Sequence, residues 1–155
     1  MLKYLWLSLA IIIADQISKT LMVNWLDLYE RVAVLPFFNL TLAHNTGAAF
    51  SFLAGAGGWQ RWFFVALAVV ISAVLVIWMK RLAVTARLEA ISLALIIGGA
   101  IGNVIDRLIY GYVIDFLDVY VGTYHWPAFN IADSAICIGA VLLIIDSFRK
   151  PAANA

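Results

Sequence analysis

Charge, cysteine and histidine are all scarce in this chain. Only 12% of its 155 residues are Asp, Glu, Lys or Arg, ten basic against nine acidic, for a net charge of +1. A charge so thin and balanced, with no basic block, offers nothing to a nucleic-acid backbone. The single cysteine, Cys137, cannot close an intrachain disulfide, and its apolar neighbours suit it to packing as a small hydrophobe. His44 and His125 are the only histidines and stand far apart with no cysteine beside them, which disfavours a metal site. H-E-x-x-H and G-x-S-x-G are both absent, so zincin and α/β-hydrolase chemistry lack their signatures. Ser18 and Lys19 are adjacent, so on a helix they point ~100° apart and make a poor serine–lysine pair.

Apolar residues are what the chain has in plenty: 65% of it, with a mean hydropathy of +1.00. Four runs, 4–25, 60–79, 89–110 and 129–148, are long enough to cross ~30 Å of hydrocarbon at 1.5 Å per residue. The expected fold is therefore an all-α membrane protein, one integral membrane domain over residues 1–155. Lys3 followed by LWLSLAIIIA resembles the start of a signal peptide. However, Asp15 and Lys19 interrupt the run and no small-x-small cleavage pattern follows, so the segment is expected to be retained as a span. Lys3, Lys80, Arg81, Arg87, Arg149 and Lys150 gather at the ends and in the 80–88 loop, against Arg31 and Arg61 on the other side. That bias predicts cytoplasmic termini and two extracytoplasmic loops. Trp25, Trp59 and Trp126 suit the outer interface and Trp78 the inner one.

The first outer loop, 26–59, contains ERVAVLPFFNLTLAHN, with β-favouring runs and clear alternation from Asn39 to Leu42. It predicts a small sheet on the membrane surface, with Pro36 limiting strand length. NTGAAFSFLAGAGG then reads as an apolar turn or short interfacial helix. The second outer loop, 111–128, reads as a surface stretch made bendable by Gly111 and Gly122. In the third run, Gly98-x-x-x-Gly102 has the spacing that lets helices approach closely.

Four of the nine acidic residues fall within Gly98–Ser134, beside membrane-length runs. Ionisable groups in or against a bilayer are costly and so are functional suspects. Depth groups them. At helical rise, Asp15 lies ~18 Å from Lys3, Asn103 ~21 Å from Glu89 and Asp133 ~24 Å from Arg149, with Lys19 and Arg107 at ~24 and ~27 Å. Residues on three runs thus share one level in the outer third of the membrane, as a single polar site would. Asp15 and Lys19, at i and i+4, share a helix face and can pair, as can Asn103 and Arg107. Asp133 sits where a carboxylate also acts as a helix cap.

Two carboxylates around one water cannot both stay ionised, so one holds a proton while the other acts as base. Such a pair can activate water against a peptide carbonyl without metal or covalent nucleophile. Asp115 and Asp133, either side of one outer connection, are the candidates. The same buried charges also fit a proton-coupled transporter, or a structural protein whose helices they pair.

ADQISK at 14–19, NTGAAFS at 45–51, GGAIGNVIDR at 98–107, VIDF at 113–116 and FNIADS at 129–134 together resemble lipoprotein signal peptidase, the bacterial signal peptidase II family. The resemblance covers almost the whole chain in register. It implies an intramembrane aspartic endopeptidase of the bacterial inner membrane, with its active site facing outward and no cofactor. It cuts diacylglyceryl-modified prolipoproteins just before the lipidated cysteine. The matching blocks assign the catalytic pair to Asp115 and Asp133 and substrate binding to Asp15, Asn45, Asn103, Arg107 and Asn130, with Lys19 supporting Asp15. The resemblance further implies a periplasmic sheet cradling the substrate, acyl chains left in the bilayer lipid, block by the cyclic peptide globomycin, and a monomer sufficient for activity.

Overall fold

The computed structural model describes residues 1–47 and 57–149. Among these, four helices are long and apolar enough to cross a membrane. They are α1 (Leu5–Trp25), α2 (Trp59–Arg81), α3 (Arg87–Ile109) and α4 (Ile131–Arg149), all within two residues of the expected bounds. A turn of 3-10 helix, Leu2–Tyr4, leads into α1. α1 exposes Trp6, Leu9, Ile13, Ile17 and Leu21, an apolar stripe at helical spacing that water would penalise and lipid accepts.

α3 is the central helix, buried along most of its length against the other three. Its glycines explain how. A Cβ on Gly98 would come within 2.9 Å of the Ser8 backbone in α1, and one on Gly102 within 2.8 Å of Asp15 Oδ2. On the other face, a Cβ on Gly99 would strike the carbonyl oxygen of Ala132 in α4. The backbones can meet only where no side chain intervenes, which is the close approach that small residues permit. Nearer the opposite end, Met79, Leu93, Ala94 and Ile97 form an apolar core between α2 and α3.

Outside the helices lies a four-stranded antiparallel sheet in the order β1 (Arg31–Leu35), β2 (Phe38–Asn45), β3 (Val113–Val121), β4 (Tyr124–His125). β1 and β2 occupy the loop where a sheet was expected, with Pro36 in the turn between them. The second loop departs from expectation: instead of a bendable stretch it supplies β3 and β4. Gly111 and Gly122 do adopt left-handed φ of +87° and +61°, but they bracket β3 rather than loosen it. The strand exists because VIDFLDVYV finds a partner in β2, about seventy residues earlier, with Ala43 opposite Asp115 and Asn39 opposite Asp118. Leu26, Leu42 and Ile114 pack beneath the sheet as a second apolar cluster. Most of the NTGAAFSFLAGAGG stretch, including the expected interfacial helix, lies outside the described residues.

Gly99→Ala tests the α3–α4 contact. Forcing a methyl against the Ala132 carbonyl is expected to lower stability by about 1–3 kcal/mol, read as a fall in Tm in detergent. An unchanged Tm would show that the helices part without cost.

Candidate active site

Lys19 is only 1% exposed in the middle of α1, so its ammonium must find every partner inside the protein. It does so with all three donors. Nζ lies 2.7 Å from Asp15 Oδ2, 2.8 Å from Asp106 Oδ2 and 3.1 Å from Asn103 Oδ1. Each acceptor reaches onward. Asp15 Oδ1 accepts the backbone N–H of Ala132 in the first turn of α4 at 2.9 Å. Asp106 Oδ2 accepts the N–H of Ile114, the residue before Asp115, at 3.0 Å, and its Oδ1 accepts Gln16 Nε2 at 2.8 Å.

Asn103 carries the network to the Asp133 and Asp115 carboxylates. With its oxygen engaged by Lys19, its amide Nδ2 faces Asp133 and donates to Oδ1 at 2.8 Å. Asn130 is the cap of α4: its Oδ1 accepts the Asp133 N–H at 2.8 Å, satisfying an otherwise orphaned donor of the first turn. The cap is therefore Asn130, which leaves the Asp133 carboxylate free for other work. Asn130 Nδ2 donates to Asp115 Oδ1 at 2.8 Å and approaches Asn103 Oδ1 at 3.2 Å. Asn45, at the end of β2, donates to Asp115 Oδ2 at 3.1 Å. Two asparagines thus link the carboxylates of Asp115 and Asp133.

Asp115 is 2% exposed, and its carboxyl is pushed up to about 7 by burial first and by the charge of Asp133 second. The hydrogen bonds from Asn45 and Asn130 and the charge of Lys19 oppose the rise without cancelling it. Arg107 stands beside this group. Its Nη2 donates to Gly47 O at 2.7 Å, its guanidinium lies over the Phe64 ring at 5.2 Å, and its Nε has no hydrogen-bond partner among the described residues.

Comparison with known proteins places the whole chain. The sequence profile of signal peptidase (SPase) II matches residues 7–149. The chain belongs to the signal peptidase II family. It is 59% identical to a lipoprotein signal peptidase of Alteromonas mediterranea over 96% of this chain and 82% of that protein. Against the lipoprotein signal peptidase of Photorhabdus laumondii the identity is 57%, covering 97% of this chain and 90% of that one. Two solved structures described as a bacterial membrane enzyme superpose with TM-scores of 0.85 and 0.83 at 31% identity. They cover 99% and 96% of this chain and 94% of each of theirs. Membership favours the peptidase reading over the transporter and purely structural ones.

The structure brings together Asp115, Asp133, Asn45, Asn103, Asn130 and Arg107, while Asp15 and Lys19 lie one layer behind them. Asp15 has no exposed surface and both its oxygens are engaged, so within this signal peptidase II fold it holds α1 against α4. Two acidic residues of the Gly98–Ser134 stretch were given no individual role by the sequence. Asp106 is the third corner of the Lys19 cluster. It follows Asn103 by three residues on the same helix face, the one signal that could have nominated it. The other is Asp118, 3% exposed, which accepts Asn39 Nδ2 at 2.8 Å and meets His125 Nδ1 at 2.8 Å, with Arg31 Nε at 3.8 Å. Burial alone would raise the Asp118 carboxyl, but Asn39, His125 and Arg31 hold it below the usual carboxylate range. A hairpin turn at Gly122-Thr123 would have hinted at this pairing. The clamp closes the segment carrying Asp115 onto the one leading to Asn130, alongside backbone bonds from Phe116 and Leu117 to Phe129 O.

Lys19→Met keeps the length of the side chain but leaves Asp15 and Asp106 buried without their counter-ion. Stability is expected to fall by about 3–5 kcal/mol, measured by thermal unfolding in detergent. A loss under 1 kcal/mol would mean that the cluster neutralises itself by taking up a proton instead.

Proposed function

We propose that this protein removes the signal peptide from diacylglyceryl-modified prolipoproteins, cutting just before the lipidated cysteine, with Asp115 and Asp133 as its catalytic dyad. The observation that carries the reading is the pair of asparagines holding both carboxylates, with the charge of Asp133 raising Asp115. A pair sharing one proton has an acid and a base together. The ionised carboxylate accepts a proton from water as its oxygen bonds to the scissile carbonyl carbon. The protonated carboxyl donates to the carbonyl oxygen, giving a neutral gem-diol. Collapse of the diol breaks the C–N bond, and the nitrogen of the cysteine leaves as an amine with a proton returned by the dyad.

Arg107 and Asn45 bind substrate carbonyls that lipid could not satisfy. Asn103 and Asn130 orient the dyad, and Asp15 acts through the helix it holds. The enzyme sits in the bacterial inner membrane with both termini cytoplasmic and the dyad on the outer side. A substrate anchored by its acyl chains then needs no extraction, because only the scissile segment leaves the lipid. Globomycin competes for that channel, and one copy of the chain is sufficient.

Asp115→Asn and Asp133→Asn, each alone, are expected to lower cleavage of a diacylglyceryl-modified precursor by about 100- to 10,000-fold, with Tm retained. Full activity in either variant would end the assignment. The pH profile gives a second check. Below about pH 7 the pair keeps its shared proton and above it the proton is lost, so kcat/KM is expected to fall as pH rises through about 7. The sign for stability is the same. The folded protein holds this proton more tightly than the unfolded chain, so stability declines as pH rises from an ordinary aspartate's 3.8 to about 7. A rate that stays flat from pH 6 to 9 contradicts the shared proton.

A further inference from the structure

The far end of the sheet carries no charge. Residues 32–38 (VAVLPFF) and 119–124 (VYVGTY) contain no Asp, Glu, Lys or Arg. The first run is the β1–β2 hairpin and the second the β3–β4 hairpin, and they lie side by side: Phe38 pairs with Val119, and Tyr120 N–H donates to Phe37 O at 3.0 Å. Their apolar side chains point outward. Val34 is 50% exposed, Leu35 47%, Phe37 55%, Val121 80% and Tyr124 72%.

In water this would be a hazard. β1 is an edge strand, and soluble proteins guard such edges with charged side chains. Beyond Arg31 this edge has none. The charged and amphipathic residues begin further back: Asp118 opposite Asn39, His125 bonded to Asp118, Arg31 opposite Thr41, and Trp126 and Tyr29 exposed beside them. An apolar tip backed by a belt of Trp, Tyr, Arg and His is the order in which membrane-surface segments meet a bilayer.

We propose that the paired hairpin tips insert into the outer leaflet of the membrane that the four helices span, making the sheet a shallow second anchor. The tip extends about three residues, or ~10 Å, past the row of Asp118 and Asn39. That length reaches the boundary between headgroups and acyl chains. It goes no deeper, because the open backbone edge of β1 would find no hydrogen-bond partner in hydrocarbon. Pro36 already removes one donor at the tip. Arg31 then lies at the level of lipid phosphates. The sheet is held over the bilayer from both ends, by α1 and α3 behind and by lipid in front. The inference depends on the spanning helices and not on the dyad, so either can fail without the other.

Cys137 is the only cysteine, which makes labelling direct. In a Cys137→Ala background, Leu35→Cys and Val121→Cys would each be labelled with the fluorophore NBD, with Thr85→Cys between α2 and α3 as the aqueous control. The full-length protein would be reconstituted in vesicles of phosphatidylethanolamine and phosphatidylglycerol. Expected at both tip sites is a blue-shifted emission, quenched by a doxyl group high on the acyl chain more than by one at its end, and shielded from iodide. Water-like emission with free iodide access at either tip site would overturn the proposal. So would shielding that disappears on dilution into excess lipid, because the tips would then be covering a second copy of the chain. A Tm measured on each labelled protein confirms that the signals come from the folded state.

Discussion

A single buried ammonium organises this protein. Lys19 has three donors and three acceptors, Asp15, Asp106 and Asn103, each of which continues to an element that carries Asp115 or Asp133. Asp15 continues to the first turn of α4, Asp106 to the backbone just before Asp115, and Asn103 to the Asp133 carboxylate. Inside a membrane protein none of these groups can fall back on water. An ion pair that contributes little at a soluble surface becomes a strong geometric constraint here, because any arrangement that breaks it leaves a bare charge.

Asp115 and Asp133 inherit their positions from this constraint and from a second one on the outside. Asp115 lies on a strand and Asp133 on a helix, and the chain between them makes a hairpin and a return. That return is pinned by backbone bonds to Phe129 and by the buried Asp118 carboxylate with His125 and Asn39. Asparagine amides do the local work because they donate and accept without adding charge. They tie the two carboxylates into one network without adding a charge that would neutralise either.

Much of the fold was legible before any coordinates. Four long apolar runs leave little choice in a bilayer, since only a helix satisfies its own backbone, and the spans fall within two residues of expectation. The close approach at Gly98 and Gly102 follows equally from the absence of side chains. β3 was harder to read. VIDFLDVYV between two glycines fits a strand or a surface loop, and its pairing with β2 depends on residues about seventy positions away.

Composition and spacing were enough to locate the four spans and to nominate their polar residues, because cost in lipid and helical rise are local quantities. Which of those residues meet depends on packing between distant elements. Asp106 joining Lys19, Asn130 rather than Asp133 capping α4, and Asp118 pairing with His125 all depend on how helices and strands from distant parts of the chain are packed. Contact between elements is set by the summed packing of the whole bundle, and no local pattern of residues records that sum.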